Sequence, residues 1–283
     1  MNKIIVTGVN GQLGRAVTIE YSGRSDFELV NTDVAELDIT DIDAVQSFVR
    51  EIKPYAIINC AAHTNVDACE TQVDLAYRIN AIGPRNLAIA ARENDAKLMH
   101  ISTDYVFDGH GNKPYIEFDA TGPQSVYGAS KLAGENMVKQ FGEKFYIVRT
   151  AWLYGDGKNF ARTMMRLSED RDEIKVVNDQ VGSPTSAREL AKCVVSLLDT
   201  DNFGLFHGTC EGDCSWADFA TEVLRLAGSK TKIVPITSEE YGAPANRPNY
   251  SILDNYMLRL TGGYTFADWH DAIEVYMKDE LKH

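Results

Sequence analysis

Residues 3–14 read KIIVTGVNGQLG, and this segment decides the fold of the chain. The apolar run at its start predicts a buried strand, and a helix is predicted to follow as far as about Tyr21. Gly8, Gly11 and Gly14 occupy the turn between the strand and the helix. Glycines at such a turn let the backbone approach a pyrophosphate and aim free N–H groups of the helix start at it. The segment therefore predicts a dinucleotide-binding turn, with a purely structural glycine turn as the alternative.

An acidic residue follows the glycine turn at the distance that this type of site requires. A second strand is predicted from Glu28 to Asp33, and Asp33 lies about 20 residues beyond the turn. A carboxylate at this place can accept hydrogen bonds from the ribose hydroxyls of an adenosine, and it would repel a 2′-phosphate. The spacing therefore supports a dinucleotide cofactor and leaves the choice between NADH and NADPH open.

Length, charge and cysteine content limit the class of protein. A chain of 283 residues suits one large domain or two closely joined ones. The net charge of −13 argues against nucleic acid as a partner, because the electrostatic interaction would repel phosphates. Five cysteines without a C-x-x-C pair argue against a disulfide framework. Since the sequence has no recognisable signal peptide or membrane span, we expect a cytoplasmic protein with no membrane partner.

Strands and helices alternate along the first half, which predicts an α/β fold of the Rossmann type with a doubly wound parallel sheet. Residues 1–150 are predicted to form the dinucleotide-binding domain, rejoined by about 174–200. Within the second segment, a strand over 174–177 and a helix over 187–198 are predicted to return to the first sheet. Residues 151–283 are predicted to form mainly a smaller α/β substrate-binding domain that interleaves with the first.

A tyrosine and a lysine four residues apart form the second informative pattern. Tyr127 and Lys131 share one face of a predicted helix, because residues i and i+4 are neighbours on a helix surface. A nearby cation stabilises a phenolate, so we expect Lys131 to lower the pKa of Tyr127 and to make it a general acid. Tyr154 and Lys158 repeat the spacing, but Gly155-Asp156-Gly157 between them predicts a turn without a catalytic role.

Polar residues follow the third and fourth predicted strands, and the carboxyl ends of parallel strands meet at the edge where open α/β sheets bind ligands. Thr103 could donate a hydrogen bond to a carbonyl oxygen, although a hydroxyl at a strand end can also cap a turn. The small Ala61 and Ala62 would let the backbone lie against a flat nucleotide. We interpret His63 as a wall residue rather than a general base, since the sequence suggests no carboxylate partner.

Four motifs occur in a fixed order between residues 7 and 131: Thr-Gly-x-x-Gly-x-x-Gly, Asn-x-Ala-Ala, Ser-Thr-Asp and Tyr-x3-Lys. Together they resemble the extended short-chain dehydrogenase/reductase superfamily. Within it the chain is similar, nearly end to end, to the dTDP-4-dehydrorhamnose reductase family, through segments 102–109, 149–155 and 179–185. The resemblance implies reduction of the 4-keto group of dTDP-4-dehydro-6-deoxy-L-mannose to dTDP-L-rhamnose, in the nucleotide-sugar pathway to cell-surface polysaccharide, with NADPH or NADH as cofactor.

The resemblance also implies the residues of the site. Tyr127 is the expected proton donor, Lys131 its partner and ribose contact, and Thr103 the third catalytic member. Cofactor contacts are implied for Gly8, Gly11, Gln12, Leu13, Gly14, Asp33, Asp38, Ile39, Ala62, His63, Thr64, Tyr127 and Lys131. Substrate contacts are implied for Thr103, Asp104 and Trp152, and Arg247 is our candidate for a diphosphate contact.

Other features bear on metal binding and on alternative functions. Some members of the family pair two chains through Mg²⁺ held by acidic residues, but Arg15 stands in the first helix here, while Glu189 could match another ligand. We therefore expect no metal and a monomer or a weak homodimer. Tyr105 occupies the place of a dehydratase glutamate, which argues against elimination. The alternatives are another nucleotide-sugar reductase or epimerase of the superfamily, and a non-catalytic regulatory-type subunit of methionine adenosyltransferase.

Overall fold

A computed structural model describes residues 1–280 of the chain. Its centre is a six-stranded sheet made of β1 (Asn2–Thr7), β2 (Phe27–Thr32), β3 (Ala56–Asn59), β4 (Lys97–Thr103), β5 (Phe145–Thr150) and β10 (Gly204–His207). The strand order is β10-β5-β4-β3-β1-β2, and all neighbouring strands are parallel. The predicted Rossmann-type sheet is confirmed. Its strand order reverses between β1 and β3, which is the place where sheets of this kind bind ligands.

Helices pack against both faces of the sheet. The longer ones around it are α1 (Gln12–Tyr21), α2 (Ile42–Ile52), α5 (Gly83–Glu93), α6 (Val126–Phe141) and α8 (Ala187–Leu198), and the short α3 (Val66–Thr71) and α4 (Val73–Tyr77) precede α5. Successive residues of β1 belong to different cores. Ile4 packs with Val17 of α1, whereas Ile5 packs with Val49 of α2. A strand buried on both faces is apolar throughout, which explains the continuous apolar run of β1.

The second half of the chain adds smaller elements at the carboxyl edge of the sheet. The helices are α7 (Phe160–Ser168), α9 (Trp216–Leu226), α10 (Ser238–Tyr241), α11 (Tyr256–Leu260) and α12 (Trp269–Val275). Three two-stranded sheets pair β7 (Glu173–Val177) with β12 (Lys232–Ile236), β6 (Leu153–Tyr154) with β9 (Thr185–Ser186), and β8 (Val181–Gly182) with β11 (Cys214–Ser215). Among residues 1–280, no helix combines the length and apolar character needed to cross a membrane.

The chain returns to the central sheet later than the sequence predicts. Residues 174–177 do form a strand, but β7 pairs with β12, and the strand that joins the central sheet is β10 beside β5. Lys175 of β7 is exposed while Ile174 is buried, and this alternation suits a sheet covered on one face only. Helix α8 does pack against α1 as expected. The domain division at residue 150 stays a prediction, and residues 281–283 lie outside the described part.

Candidate active site

A cavity of about 650 Å³ opens at the carboxyl edge of the central sheet. It begins at the glycine turn, passes the ends of β3, β4 and β5, and reaches the start of α9. The predicted site residues that line it are Gly11, Gln12, Leu13, Ala62, Thr64, Thr103, Asp104, Tyr127, Lys131 and Trp152. The fold thus brings together residues that lie up to 141 positions apart, from Gly11 to Trp152 (152 − 11).

The glycine turn is packed as closely as its sequence suggests. Gly8 has a φ of +65°, and a Cβ there would lie 2.7 Å from the Ala61 backbone nitrogen. At Gly14 a Cβ would lie 2.5 Å from the Gly8 carbonyl oxygen, so only glycine lets α1 begin this close to the turn. Gly11 is the N-cap of α1 and brings no side-chain capping bond. The start of α1 therefore presents backbone N–H groups toward the cavity.

A second cavity, of about 350 Å³, lies at the ends of β1 and β2. Four predicted cofactor residues line it: Asp33, Asp38, Ile39 and Ala62. The Asp33 carboxylate accepts hydrogen bonds from the backbone nitrogens of Asn10 at 3.2 Å and Val34 at 2.8 Å. It therefore fastens the glycine turn to the end of β2 while facing this cavity. Since Ala62 lines both cavities, the two form neighbouring compartments along one edge.

His63 is held in place by its backbone. Its N–H donates to Asn80 Oδ1 at 2.8 Å, and Asn80 Nδ2 in turn donates to the His63 carbonyl at 3.1 Å. The imidazole lies 3.1 Å from the Gln72 side chain. Asn80 also donates to Ser130 Oγ at 3.0 Å, which ties this loop to α6. His63 is not among the residues that line either cavity, and its place in a wall of the site stays a prediction.

Helix α6 positions the tyrosine and lysine. Ser125 caps its start by accepting a hydrogen bond from the Gly128 N–H at 3.2 Å. A Cβ on Gly128 would lie 2.1 Å from the Tyr105 carbonyl, so this glycine lets the helix approach the end of β4. Lys131 is 3 % exposed, and its ammonium donates to the Ile101 carbonyl at 2.6 Å. Tyr127 and Lys131 therefore line the cavity from one rigid helix face.

Burial dominates the protonation of both groups. It raises the pKa of the Tyr127 phenol above its ordinary value, and a hydrogen bond with the Thr103 side chain opposes the rise. Burial lowers the pKa of Lys131 to about 8, opposed by the charge of Glu135. Our expectation that Lys131 lowers the pKa of Tyr127 below its ordinary value is therefore wrong for the chain by itself. The lysine ammonium donates its hydrogen bond to the Ile101 carbonyl. The free energy that the phenolate loses when it is removed from water is larger than the stabilisation it gains from neighbouring groups.

Thr103 and Asp104 form a hydrogen-bonded pair at the end of β4. Thr103 Oγ1 donates to Asp104 Oδ1 at 2.8 Å. Asp104 is 2 % exposed, and its carboxyl group also forms a hydrogen bond with the Ser251 side chain. Burial raises the pKa of this carboxyl group to about 6. Because the threonine has one hydroxyl proton, Tyr127 is the donor in its bond to Thr103 whenever Asp104 is ionised and accepts that proton.

The far wall of the cavity is aromatic. Trp152 stacks on Trp216 with ring centroids 3.6 Å apart and planes 9° from parallel, and both line the cavity. The backbone φ of Trp152 is +46°, a conformation that costs a non-glycine residue energy. Gly182 makes room for the ring, since a Cβ there would lie 2.6 Å from Trp152 Cε2. Sequence reasoning missed Trp216, because nothing near it in the chain marks it as part of the site.

Arg247 lies away from the main cavity. It lines a separate cavity of about 400 Å³, and its Nη2 donates to Asp67 Oδ2 on α3 at 2.9 Å. Asp67 also accepts a hydrogen bond from the Ala245 backbone at 3.2 Å, and Arg247 bonds to the Tyr105 phenol. The structure thus gives Arg247 a role in fastening the segment before residue 248 to α3. Its contact with a diphosphate stays a prediction.

The residues considered for a metal are engaged with protein partners. Arg15 pairs with Asp156 at 2.8 Å. Glu189 accepts hydrogen bonds from Lys192 at 2.6 Å and from Tyr264 at 2.7 Å. Within residues 1–280, no group of three histidine, cysteine, aspartate or glutamate side chains could hold a metal ion.

Comparison with known proteins identifies the family. The RmlD substrate binding domain family model matches residues 1–282. The chain belongs to this family. It is 42 % identical over 277 residues to a dTDP-4-dehydrorhamnose reductase of Streptomyces griseus, which covers 95 % of this chain and 91 % of that protein.

Two solved structures of RmlD relatives are similar over almost their entire length. A dTDP-4-dehydrorhamnose reductase from Clostridium acetobutylicum is 54 % identical, with a TM-score of 0.97, covering 99 % of this chain and 100 % of that one. The Bacillus anthracis dTDP-4-dehydrorhamnose reductase, solved in complex with NADP, is 45 % identical, with a TM-score of 0.96 and the same coverage. The sequence-based recognition of this family is confirmed.

Proposed function

We propose that the chain is an NAD(P)H-dependent oxidoreductase that reduces the 4-keto group of dTDP-4-dehydrorhamnose, giving dTDP-L-rhamnose. The observation that carries this proposal is the position of Thr103, Tyr127 and Lys131, which line one cavity together with the glycine turn. The names of its relatives support the same reaction and the same nucleotide sugar. The epimerase and regulatory-subunit alternatives are not favoured.

The residues around the two cavities fit a nicotinamide dinucleotide, which supplies the hydride when bound. The close approach at Gly8 and Gly14 leaves the uncapped start of α1 free to bind a pyrophosphate. Asp33, in the second cavity, is placed to accept hydrogen bonds from the adenosine ribose. Lys131 is placed to hold the nicotinamide ribose. His63 and Thr64 would form the wall between these ends.

The chain's own part in the chemistry is proton donation at the sugar C4 oxygen. Because burial raises its pKa, Tyr127 is protonated at neutral pH and is available as a donor. An alkoxide is more basic than a phenolate, so proton transfer from Tyr127 to the developing C4 alkoxide is favourable. Thr103 orients the oxygen and the phenol through its single hydroxyl. Lys131 offsets the negative charge left on Tyr127 after transfer.

The sugar nucleotide is proposed to bind between Asp104 and the aromatic wall. Trp152 offers an indole face of the kind that packs against a sugar ring, and the Asp104 carboxylate can accept a sugar hydroxyl. Arg247 would reach a diphosphate only by exchanging Asp67 for phosphate. A cytoplasmic location fits the five free cysteines. We propose a monomer or a weak homodimer, because Arg15 stands where the metal-bridged members of the family carry an acidic residue.

The decisive experiment follows the oxidation of NADH and of NADPH with enzymatically prepared dTDP-4-dehydrorhamnose, and identifies the product by NMR. Formation of dTDP-L-rhamnose supports the proposal and gives the cofactor preference. Tyr127→Phe should reduce turnover by about 10²–10⁴-fold. Tyr154→Phe is the matched control, because it removes the hydroxyl from the other tyrosine with the same lysine spacing. Near-normal turnover in Tyr127→Phe, or a product epimeric at C4, would contradict the assignment.

A further inference from the structure

A buried carboxylate lies one helical turn behind the proposed catalytic lysine. Tyr127, Lys131 and Glu135 follow each other at four-residue intervals on α6, so they share one face of the helix. Glu135 is fully buried, and the chemistry proposed above does not use it. A carboxylate out of contact with water is costly unless its surroundings satisfy its charge.

Glu135 is held by two strands of the central sheet. From β5, Arg149 donates through Nε to Oε1 and through Nη2 to Oε2, both at 2.8 Å. From β4, Ser102 Oγ donates to Oε1 at 2.6 Å, while Lys139 lies 3.4 Å from Oε2. Burial alone would raise the pKa of Glu135, but the Arg149 contacts hold it below its ordinary value. Glu135 is therefore a fixed negative charge.

The same stretch of β4 holds the lysine. Lys131 donates to the carbonyl of Ile101, and the next residue, Ser102, donates to Glu135. Burial lowers the pKa of Lys131, and the Glu135 charge is the largest influence that opposes this. The ammonium and the carboxylate are thus attached to consecutive residues of one strand and consecutive turns of one helix.

Asp104 apart, the other titratable groups around Lys131 offer it little negative charge at neutral pH. Burial raises the pKa of the Cys60 thiol to about 12, and it lowers the pKa of His100 well below its usual value. Tyr127 is also neutral, for the reason given above. Asp104, on the far side of Thr103, titrates near pH 6, and Arg149 and Lys139 are cations on the Glu135 side.

We propose that Glu135 is a positioning residue, whose Arg149- and Ser102-bound carboxylate keeps Lys131 charged and fixed along β4, where it binds the cofactor ribose. The role at the ribose rests on the function proposed above. The charge of Lys131 does not, and it can be measured on the protein alone. The competing explanation is that Glu135 and Arg149 merely fasten α6 to the sheet.

The test is the titration of Lys131, followed by NMR through its ¹³Cε resonance in protein carrying ¹³C-labelled lysine and assigned with Lys131→Arg. A unit charge about 6 Å away at an effective dielectric constant of about 20 shifts a pKa by about two units. E135Q should therefore lower the midpoint by about one to two pH units, allowing for the change in its surroundings. E135D keeps the charge and should titrate close to the wild type.

R149K is the matched control, since it also breaks the bidentate contact with Glu135 but leaves a cation beside the carboxylate. Glu135 therefore keeps its charge, and the Lys131 midpoint should stay close to that of the wild type. A purely structural pair predicts that E135Q and R149K act alike. If E135Q does not fold, the double variant E135Q/R149Q removes both charges, and its midpoint should still fall, because the Glu135 charge acts on the pKa of Lys131 and the Arg149 charge does not. A midpoint that stays unchanged in E135Q, or that falls by the same amount in R149K, overturns the inference.

The pH dependence of NADPH binding links this result to the site. Fluorescence titration should show weaker NADPH binding above the pH of the Lys131 midpoint. In E135Q, the pH at which the NADPH affinity begins to fall should shift together with that midpoint. Failure of the protein to reduce the sugar nucleotide would contradict the proposed function and would leave the Lys131 titration intact as a test. A normal reaction in which the pH dependence of NADPH binding is unaffected by E135Q would contradict the positioning role alone.

Discussion

Asp104 should make the protein less stable as the pH rises, and Asp104→Asn should abolish this effect. The carboxyl group is 2 % exposed, and burial raises its pKa from 3.8 to about 6. Between these two pH values the folded chain binds a proton that the unfolded chain has released. Stability therefore falls as the pH rises through this range, which is opposite to the behaviour of a carboxylate in a salt bridge.

The magnitude follows from the two pKa values. A difference of about 2.2 units corresponds to about 3 kcal/mol over the whole titration, since one unit is about 1.4 kcal/mol. Between pH 5 and pH 8 the same expression gives a loss of about 1.4 kcal/mol from this residue. The asparagine amide keeps the oxygen that accepts from Thr103. Its NH₂ group takes the place of the other buried carboxyl oxygen, at a cost that does not depend on pH.

Urea unfolding of the wild type and of Asp104→Asn at several pH values between 5 and 8 measures the effect. The quantity of interest is the change with pH of the difference in unfolding free energy, because the other titrating groups cancel. Asp156→Asn is the matched control. The Arg15 hydrogen bond holds the pKa of Asp156 below its ordinary value of 3.8, so this carboxyl group is ionised in the folded and in the unfolded chain throughout the range, and Asp156→Asn should give a difference that does not change with pH.

A flat difference between the wild type and Asp104→Asn across this range would refute the reasoning. It would mean that the buried carboxyl group has an ordinary pKa in the folded protein. A difference that grows in favour of the variant as the pH rises would support it. Such a group is an example of a site that sacrifices stability for function, because its charged form is costly to bury at neutral pH.

Two further variants test the walls of the site. Gly14→Ala should lower the free energy of unfolding by about 1–3 kcal/mol and weaken NADPH binding, because its Cβ would lie 2.5 Å from the Gly8 carbonyl oxygen. Gly23→Ala is the control and should change neither quantity, because a Cβ at Gly23 would lie in open space. Equal stability of the two variants in urea would contradict the close approach. Trp216→Ala removes the stack on Trp152 and should raise the KM for the sugar nucleotide by about 2–13-fold, with the KM for NADPH unchanged. An unaffected sugar KM would show that Trp152 needs no support.

The parts of the site that depend on local backbone geometry could be predicted from the sequence. The strand and glycine turn at residues 3–14 need particular residue types at fixed spacing, and the tyrosine and lysine of α6 share a face by helical geometry. The second cavity beside Asp33 follows from the same reasoning, since the acid must end the second strand. These features depend on neighbours within a few residues or within one βα unit.

Contacts between segments that are far apart in the chain could not be predicted from the sequence. Trp216 meets Trp152 across 64 residues (216 − 152), and only the three-dimensional fold brings them together. Glu135 resembles any other acid in a helical sequence until Arg149 and Ser102 are seen to enclose it. The direction of the Tyr127 pKa was mispredicted because proximity to a cation is visible in sequence and depth of burial is not.

The late return of the chain to its sheet has a consequence for biosynthesis. Until β10 is made, β5 is an edge strand, and the hydrogen bonds that Lys97 and Tyr146 donate to the Thr200 carbonyl have no acceptor. A nascent chain of about 150 residues therefore exposes an unpaired apolar edge, which is the kind of surface that associates with other chains. Expression of the amino-terminal half alone should therefore yield aggregates, whereas a chain that extends through residue 207 should stay in solution.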